Sequence, residues 1–532
     1  MGFFRKDRLD PGNGIYPFDP AMPVSPYQRI AVVGGSWCDM GRQYVAQCRE
    51  GFVARCAAAF ADYYGALGDE GRVRGIGRRY LRACEKDFPQ LIELVDGMAE
   101  EAGVAFGDAV LALYGISMLR AERECSEVAA WGGATRDGHL IGASNMDLGY
   151  EAREFLPAVL AYPEDGNAFI SCELFHRTCL NEKGVLLQGS GHQNAGEGSI
   201  RRPTNDDPRH MWNDANVWAA AFADSAAEAM APYRDWEFVT GCNQLAGDPS
   251  HDVWLMEFTG KKKRVRRAGD LGERDYLMEN NGSHHPDMQD CINQGAAYWS
   301  DTDPRYWTVQ KHVEDRWGSL TKRDLFEAES HGDFYVPEGW SRPYRADWGL
   351  NVWRRDASQP VPAGWHSNWN PADSGDAAFG DWSPQVHSVD FRPVLRHIVD
   401  VEDRAFYCMK GHSEPALSLH PHSLGTFWKV RLVGGARAVV EEAFHELERQ
   451  LWYAGRDLHR LTAPEPVRAA AAERAKELMY EGINWNSLAV CAEAAGEAFD
   501  ASLLYGKALS AFCGGQCHAR VAQDDPQAFD QR

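Results

Sequence analysis

The spacing of apolar positions changes character along the chain, and each change marks a structural boundary. Arg29-Ile30-Ala31-Val32-Val33-Gly34-Gly35 reads as a short buried strand ending in a glycine turn, after an irregular leader over residues 1 to 27. From Met40 to about Met118 the pattern is helical. Apolar residues keep helical spacing from Arg79 through Ala99, with Gly103 as the stop. At Cys125 the period drops to two. Cys125 to Trp131 and His139 to Asn145 read as strands flanking the turn Arg136-Asp137-Gly138, which predicts a hairpin.

Further strands are predicted over residues 167–172, 184–188, 253–259 and 405–408, with a helical stretch around Trp212 to Met230 between the second and third. Strands, then helices, then strands suit a layered α+β domain and not a doubly wound one. Residues 299 to 382 are dense in aromatics, among them Trp299, Trp307, Trp340, Trp348, Trp353, Trp365, Trp369 and Trp382. Such a stretch either lines an apolar pocket or packs its own loops down. Helical spacing returns with Val440, Phe444, Leu447, Leu451, Ala454, Leu458 and Leu461, a stripe that reads as a docking face. The expected organisation is a helical segment 1–124, a pro-segment or small chain if the protein is cut, then a core 125–435 and a helical extension 436–532. The extension exceeds what the core needs and is a candidate homo-oligomer contact.

At 532 residues, with 44% hydrophobic and 25% charged residues, the chain is large enough to bury a substantial interior. Its formal net charge of -22 disfavours nucleic acid or an anionic membrane as a partner. The one basic run, Lys261 to Arg267, reads as a solvated hairpin tip. Thirteen cysteines without regular spacing suggest free thiols in a reducing compartment, so a cytoplasmic location is expected. No apolar stretch approaches the roughly 20 residues of a membrane span, and the leader has no secretory pattern.

A cysteine is ordinarily a small buried apolar residue, so position is what singles out Cys125. Cutting the chain between Glu124 and Cys125 would leave a cysteine at the start of a β-sheet. Its free α-amine, with a pKa of roughly 7.7–8.0, would then serve as base for its own thiol. Counting out from the Asp137-Gly138 turn places Asp147 opposite residues 126 to 128. A carboxylate there either holds the new ammonium and orients the nucleophile or simply caps the strand end.

The segment Cys125-Ser126-Glu127-Val128-Ala129-Ala130-Trp131, with Thr135-Arg136-Asp137-Gly138 and Ser144-Asn145-Met146-Asp147, resembles the opening hairpin of the isopenicillin N acyltransferase-like cysteine N-terminal-nucleophile (Ntn) hydrolases, relatives of the choloylglycine hydrolases. Leu180 to Val185 resembles that family's Asn-Glu-x-Gly turn, Asn243 to Thr259 its strand ending Glu-Phe-Thr, and Glu279-Asn280-Asn281 its oxyanion segment. Val386 to Asp390, leading to Cys408-Met409-Lys410-Gly411, resembles its closing strands. The resemblance spans roughly residues 30 to 415. It implies a four-layer αββα fold, autocleavage before Cys125, an acyl-thioester on Cys125, and an oxyanion contact from Asn280. Asn145, Asn181, Asn281 and His192 are further candidates for oxyanion or substrate binding. The chain departs from the family at Ser144, where many relatives have Arg, at Glu124, where precursors often have a small residue, and at Gly191-His192, where bile-salt enzymes have Asn.

No metal or other cofactor is expected. His284, His285 and Asp287 lack a third ligand at a sensible spacing, and Cys513-Gly514-Gly515-Gln516-Cys517-His518 lacks the partner pair of a zinc module. The functional expectation is hydrolysis or transfer of an acyl group at a small-molecule amide. The alternatives are an ester or phospholipid hydrolase of the phospholipase-B-like branch and a non-catalytic protein keeping the fold.

Overall fold

The apolar run Ile30–Gly35 forms strand β1, and Ser36 then caps a long helix, its hydroxyl accepting from the Asp39 N–H at 3.2 Å. The structure, a computed structural model, describes residues 30–115, 124–148, 157–172, 177–191, 209–238, 241–260, 262–291, 299–330, 333–335, 365–367, 392–410, 427–457 and 465–523. Helices α1 (Trp37–Leu67), α2 (Glu70–Tyr80), α3 (Cys84–Asp87), α4 (Pro89–Ala102) and α5 (Phe106–Val110) follow β1. The single helix read through residues 79–99 is in fact interrupted. Pro89 drives Phe88 out of the helical region (φ -154, ψ 63), and α4 starts afresh with proline in its first turn. Gly103 ends α4 in the left-handed conformation, φ 70, as expected.

Strands β2 (Glu124–Ala130) and β3 (Ile141–Leu148) form the predicted hairpin. Then come β4 (Ala158–Pro163), β5 (Phe169–Cys172), β6 (Arg177–Asn181) and β7 (Leu186–Gly191), and helices α6 (Trp212–Phe222), α7 (Ala226–Ala229) and α8 (Ala231–Asp235). Next are β8 (Cys242–Gly247), β9 (Val253–Phe258), β10 (Lys263–Arg266), β11 (Tyr276–Asn280), α9 (Trp299–Asp315) and α10 (Lys322–Ser330). The described chain closes with β12 (Asp333–Tyr335), β13 (Trp365–Ser367), β14 (Arg392–Asp400), β15 (Ala405–Lys410), β16 (Trp428–Arg431), α11 (Ala436–Asp457), α12 (Glu465–Ala494) and α13 (Ala498–Ala522).

Among the described residues one large sheet has eight strands in the order β1-β4-β5-β6-β7-β8-β9-β10, the other six in the order β11-β2-β3-β14-β15-β16, and β12 pairs with β13 in a two-stranded sheet. Among the described strands every pairing is antiparallel except β1 with β4. Leu160, Ile170, Leu186 and Leu245 of the first sheet share an apolar layer with Ala129, Leu277 and Phe406 of the second. Alternate residues of the first sheet, such as Val159 and Leu187, pack under α1, α4 and α6, while Val128, Ala130 and Ile141 of the second pack under α9 and α10. The architecture is therefore α+β with four layers, αββα.

The C-terminal helix α13 lies against the free edges of both sheets. Ser510 Oγ accepts from the Ile30 N–H at 3.0 Å, Ser502 Oγ donates to the Val32 carbonyl, and Gln516 bonds the Lys429 N–H at 2.7 Å and its carbonyl at 3.1 Å. Gln43 and Gln47 of α1 bond the Gly34 and Val32 backbone groups on that same β1 edge. Side chains thus satisfy strand edges that would otherwise template pairing with another chain. The stripe on α11 is buried at Val440, Leu447 and Ala454 and packs in the same core as β16 and α13; Leu458 and Leu461 lie outside the described residues.

Two other expectations change. The basic run is a hairpin tip only at its start: Lys262 closes the β9–β10 turn onto Thr259, whereas Lys263–Arg266 is the edge strand β10 and Arg266 is fully buried between Glu257 and Glu273. Two carboxylates make that burial tolerable. The aromatic-rich stretch begins with α9 and α10, and Trp307 packs against the second sheet's helical core. Trp340, Trp348, Trp353, Trp369 and Trp382 lie outside the described residues. Among the described residues no helix is long and apolar enough to cross a membrane.

Candidate active site

Cys125 is the second residue of β2, a strand hydrogen-bonded on both sides, and is fully buried. Its backbone N–H donates to Asn281 Oδ1 at 2.8 Å, and its carbonyl accepts from Arg305 Nη1 at 2.7 Å. Arg305 Nη2 also donates to Asn281 Oδ1 at 3.1 Å, and Asn281 Nδ2 donates to the Gly191 carbonyl at 2.8 Å. One carboxamide therefore ties together β2, the end of β7 and the buried guanidinium from α9. Asn243 holds the following turn, donating to the carbonyls of Asn280 and Gly282 at 2.6 Å each.

Cross-strand register explains the polar groups around the cysteine. Glu127, two residues on and on the same face of β2, pairs directly with Glu279 of β11, and both are buried between the sheets. Burial, and next the neighbouring Glu127, holds the Glu279 carboxyl well above the usual carboxylate range, so the pair retains a proton. Ser190 Oγ lies 2.5 Å from Glu279 Oε2 and 2.6 Å from the Asn280 carbonyl oxygen. The Ser190 hydroxyl is the donor toward Glu279, a contact that opposes the upward shift of that carboxyl. On the other face of β2, Ser126 donates to Glu329 of α10, whose carboxyl burial pushes up to about 8.

The sequence-derived candidates separate in this frame. Asn281 sits on the Cys125 backbone. Asn280 pairs with Ser126, which puts its side chain on the α9 face while Cys125 shares the inter-sheet face with Glu127; its Oδ1 accepts from the Gly282 N–H at 3.0 Å. The oxyanion role implied for Asn280 thus meets a residue on the opposite face of the sheet. Asn145 is buried between Ser126 and Arg396 in register. Asp147 pairs with Glu124, not with residues 126 to 128, because the hairpin connection is centred between Thr135 and Arg136, two residues before Asp137-Gly138; the side chains of Glu124 and Asp147 are outside the described residues. Asn181 is a turn residue: it donates to the carbonyls of Ala220 (3.2 Å) and Ala223 (2.8 Å) and accepts from the N–H groups of Lys183 (3.1 Å) and Val185 (2.9 Å), at the end of β7 remote from Gly191. His192 lies outside the described residues.

Sequence reasoning missed Arg305, Glu329, Ser190 and the Glu127–Glu279 pair. Arg305 and Glu329 reach the site across 180 and 203 residues. The acid pair was visible only as a consequence of the β2–β11 register, although both residues lie inside motifs already singled out.

No family model and no curated protein matches this chain. Among solved structures it is similar to a cysteine-to-alanine variant of conjugated bile acid hydrolase from Clostridium perfringens, at 11% identity over 54% of this chain and 89% of that one, with a TM-score of 0.33. It is also similar to penicillin V acylase from Agrobacterium tumefaciens, at 10% identity over 58% of this chain and 78% of that one, with a TM-score of 0.27.

Proposed function

We propose that this chain is a cysteine Ntn-type hydrolase or acyltransferase acting on a small-molecule amide, activated by cleavage between Glu124 and Cys125. The observation that supports this reading most strongly is the setting of the Cys125 nitrogen. It is held by Asn281 Oδ1 at 2.8 Å at the buried start of a central strand, beside a guanidinium and a proton-sharing acid pair.

In this reading the Cys125 thiol attacks the Glu124 carbonyl carbon, and its proton passes to the departing Cys125 nitrogen as the peptide bond breaks. Water then hydrolyses the thioester, leaving a carboxylate on Glu124 and a free α-amine on Cys125. Asn281 Oδ1 accepts one N–H of that amine and so directs its lone pair, which takes the thiol proton in the next cycle. An acyl-thioester forms as the substrate amine leaves. Water ends the cycle as hydrolysis, and an incoming amine ends it as acyl transfer. Arg305, fixed on the Cys125 carbonyl, supplies a positive charge close to the nucleophile where the family's arginine is replaced by Ser144.

The test is turnover of a panel of N-acyl p-nitroanilides and matched p-nitrophenyl esters by the native protein and a Cys125→Ala variant, with acid-quenched peptide mapping for an acyl group on Cys125. Anilide turnover and an adduct, both abolished in the variant, support the proposal. Turnover confined to esters favours the phospholipase-B-like reading, and turnover unaffected by Cys125→Ala refutes the assignment of the nucleophile.

A further inference from the structure

A second buried cluster lies in the helical layer outside the first sheet. Cys84 opens α3, His210 precedes α6, and Asp214 lies in the first turn of α6; all three are buried. Cys84 Sγ is 3.7 Å from His210 Nδ1 and 3.3 Å from Asp214 Oδ2, and Nδ1 is 3.3 Å from Oδ2. A tetrahedral ion bonded at about 2.3 Å to sulfur, about 2.05 Å to nitrogen and about 2.0 Å to oxygen separates those donor pairs by about 3.6, about 3.5 and about 3.3 Å. The three donor atoms are thus already spaced like three corners of a zinc tetrahedron.

Two independent features point the same way. His210 turns its other nitrogen, Nε2, to Asp87 Oδ2 at 3.2 Å, the carboxylate–histidine arrangement that fixes a metal-binding imidazole with its proton away from the ion. The ring is also stacked on Trp236, with centroids 4.0 Å apart. Asp214 Oδ1 is buried without a hydrogen-bond partner, although its carboxylate is fully enclosed.

We propose that Cys84 Sγ, His210 Nδ1 and Asp214 Oδ2 bind a divalent cation of the zinc class, with Asp87 orienting His210 through Nε2 and a water in the fourth position that donates to Asp214 Oδ1. The mix of thiolate, imidazole and carboxylate selects zinc over magnesium or calcium, which take oxygen ligands. Binding releases the Cys84 thiol proton, so affinity rises with pH. The donors are 126 and 130 residues apart, which is why a sequence reading that weighs neighbouring residues expects no metal. The site joins α3 to α6 across the Glu124–Cys125 bond, so it staples residues 30–115 to the rest of the fold whether or not that bond is cut.

The experiment is metal analysis of untagged full-length protein purified without chelator, followed by stripping and reloading with cobalt(II). The proposal expects one zinc per chain, a near-ultraviolet sulfur-to-cobalt charge-transfer band, and loss of that band in Cys84→Ser. Asp87→Asn, which keeps every ligand, should weaken zinc binding by about 10–100-fold. The native-protein arm needs no variant to fold: less than a tenth of an equivalent of zinc together with no charge-transfer band overturns the proposal. A band that persists in Cys84→Ser overturns it equally.

Discussion

Replacing Glu329 with Gln should change how stability depends on pH. Glu329 is buried beside β2, and burial raises its carboxyl from 4.5 to about 8; the hydrogen bond from Ser126 opposes this shift and the nearby Glu127 adds to it. For an acid raised in the fold, the favourable contribution is complete below the unfolded value, is lost as pH rises, and is gone above the folded value. Between about pH 5 and about pH 8 the loss from this one group is on the order of 3–4 kcal/mol. Gln keeps the shape and can still pair with Ser126 but does not titrate. Urea unfolding of the native protein and Glu329→Gln at the two pH values isolates the effect, because other titrating groups, Glu279 included, are common to both. The variant should gain about 3–4 kcal/mol relative to the native protein on going from the lower to the higher pH. A relative change under about 1 kcal/mol would show that Glu329 ionises near its ordinary value and that the site is wetter than its burial implies.

Asn281→Leu should destabilise the fold by about 2–4 kcal/mol in the same assay, since it strands the Cys125 N–H, an Arg305 donor and the Gly191 carbonyl; a loss under about 0.5 kcal/mol contradicts the network. Arg266→Met leaves Glu257 and Glu273 buried without their cation and should cost about 3–5 kcal/mol in thermal or urea unfolding. Gly97→Ala places a methyl group 2.0 Å from the Cys38 carbonyl oxygen, where α4 crosses α1, so a loss of about 1–3 kcal/mol in unfolding free energy is expected despite the gain in helix propensity. Ending the chain before Ala498 uncovers the β1 and β16 edges and should yield an aggregating protein that binds hydrophobic dye; a stable, well-folded truncation would contradict the sealing role of α13.

The sequence showed most where a single local rule governs. The Cys125 hairpin followed from period-two alternation around Asp137-Gly138, and Gly103 stopped α4 because glycine alone adopts that conformation freely. Legibility failed where distance in the chain hides proximity. The place of Arg266 under two carboxylates, the pairing of Glu127 with Glu279, and the reach of Arg305 to Cys125 all depend on register and layering. The C-terminal stripe was read correctly as a docking face, but its partners include β16 and α13 of the same chain, because two open sheet edges needed covering. Asn181 shows the opposite case: a motif match marked it as a site candidate, and its four backbone contacts show it shaping a turn.

The measurement that bears most directly on the central claim is intact mass spectrometry of the purified native protein beside Cys125→Ala. The account predicts two chains in the native sample, ending at Glu124 and beginning at Cys125, and one uncut chain in the variant. A single uncut chain in both would mean that Cys125 never acquires the free amine on which the proposed chemistry depends.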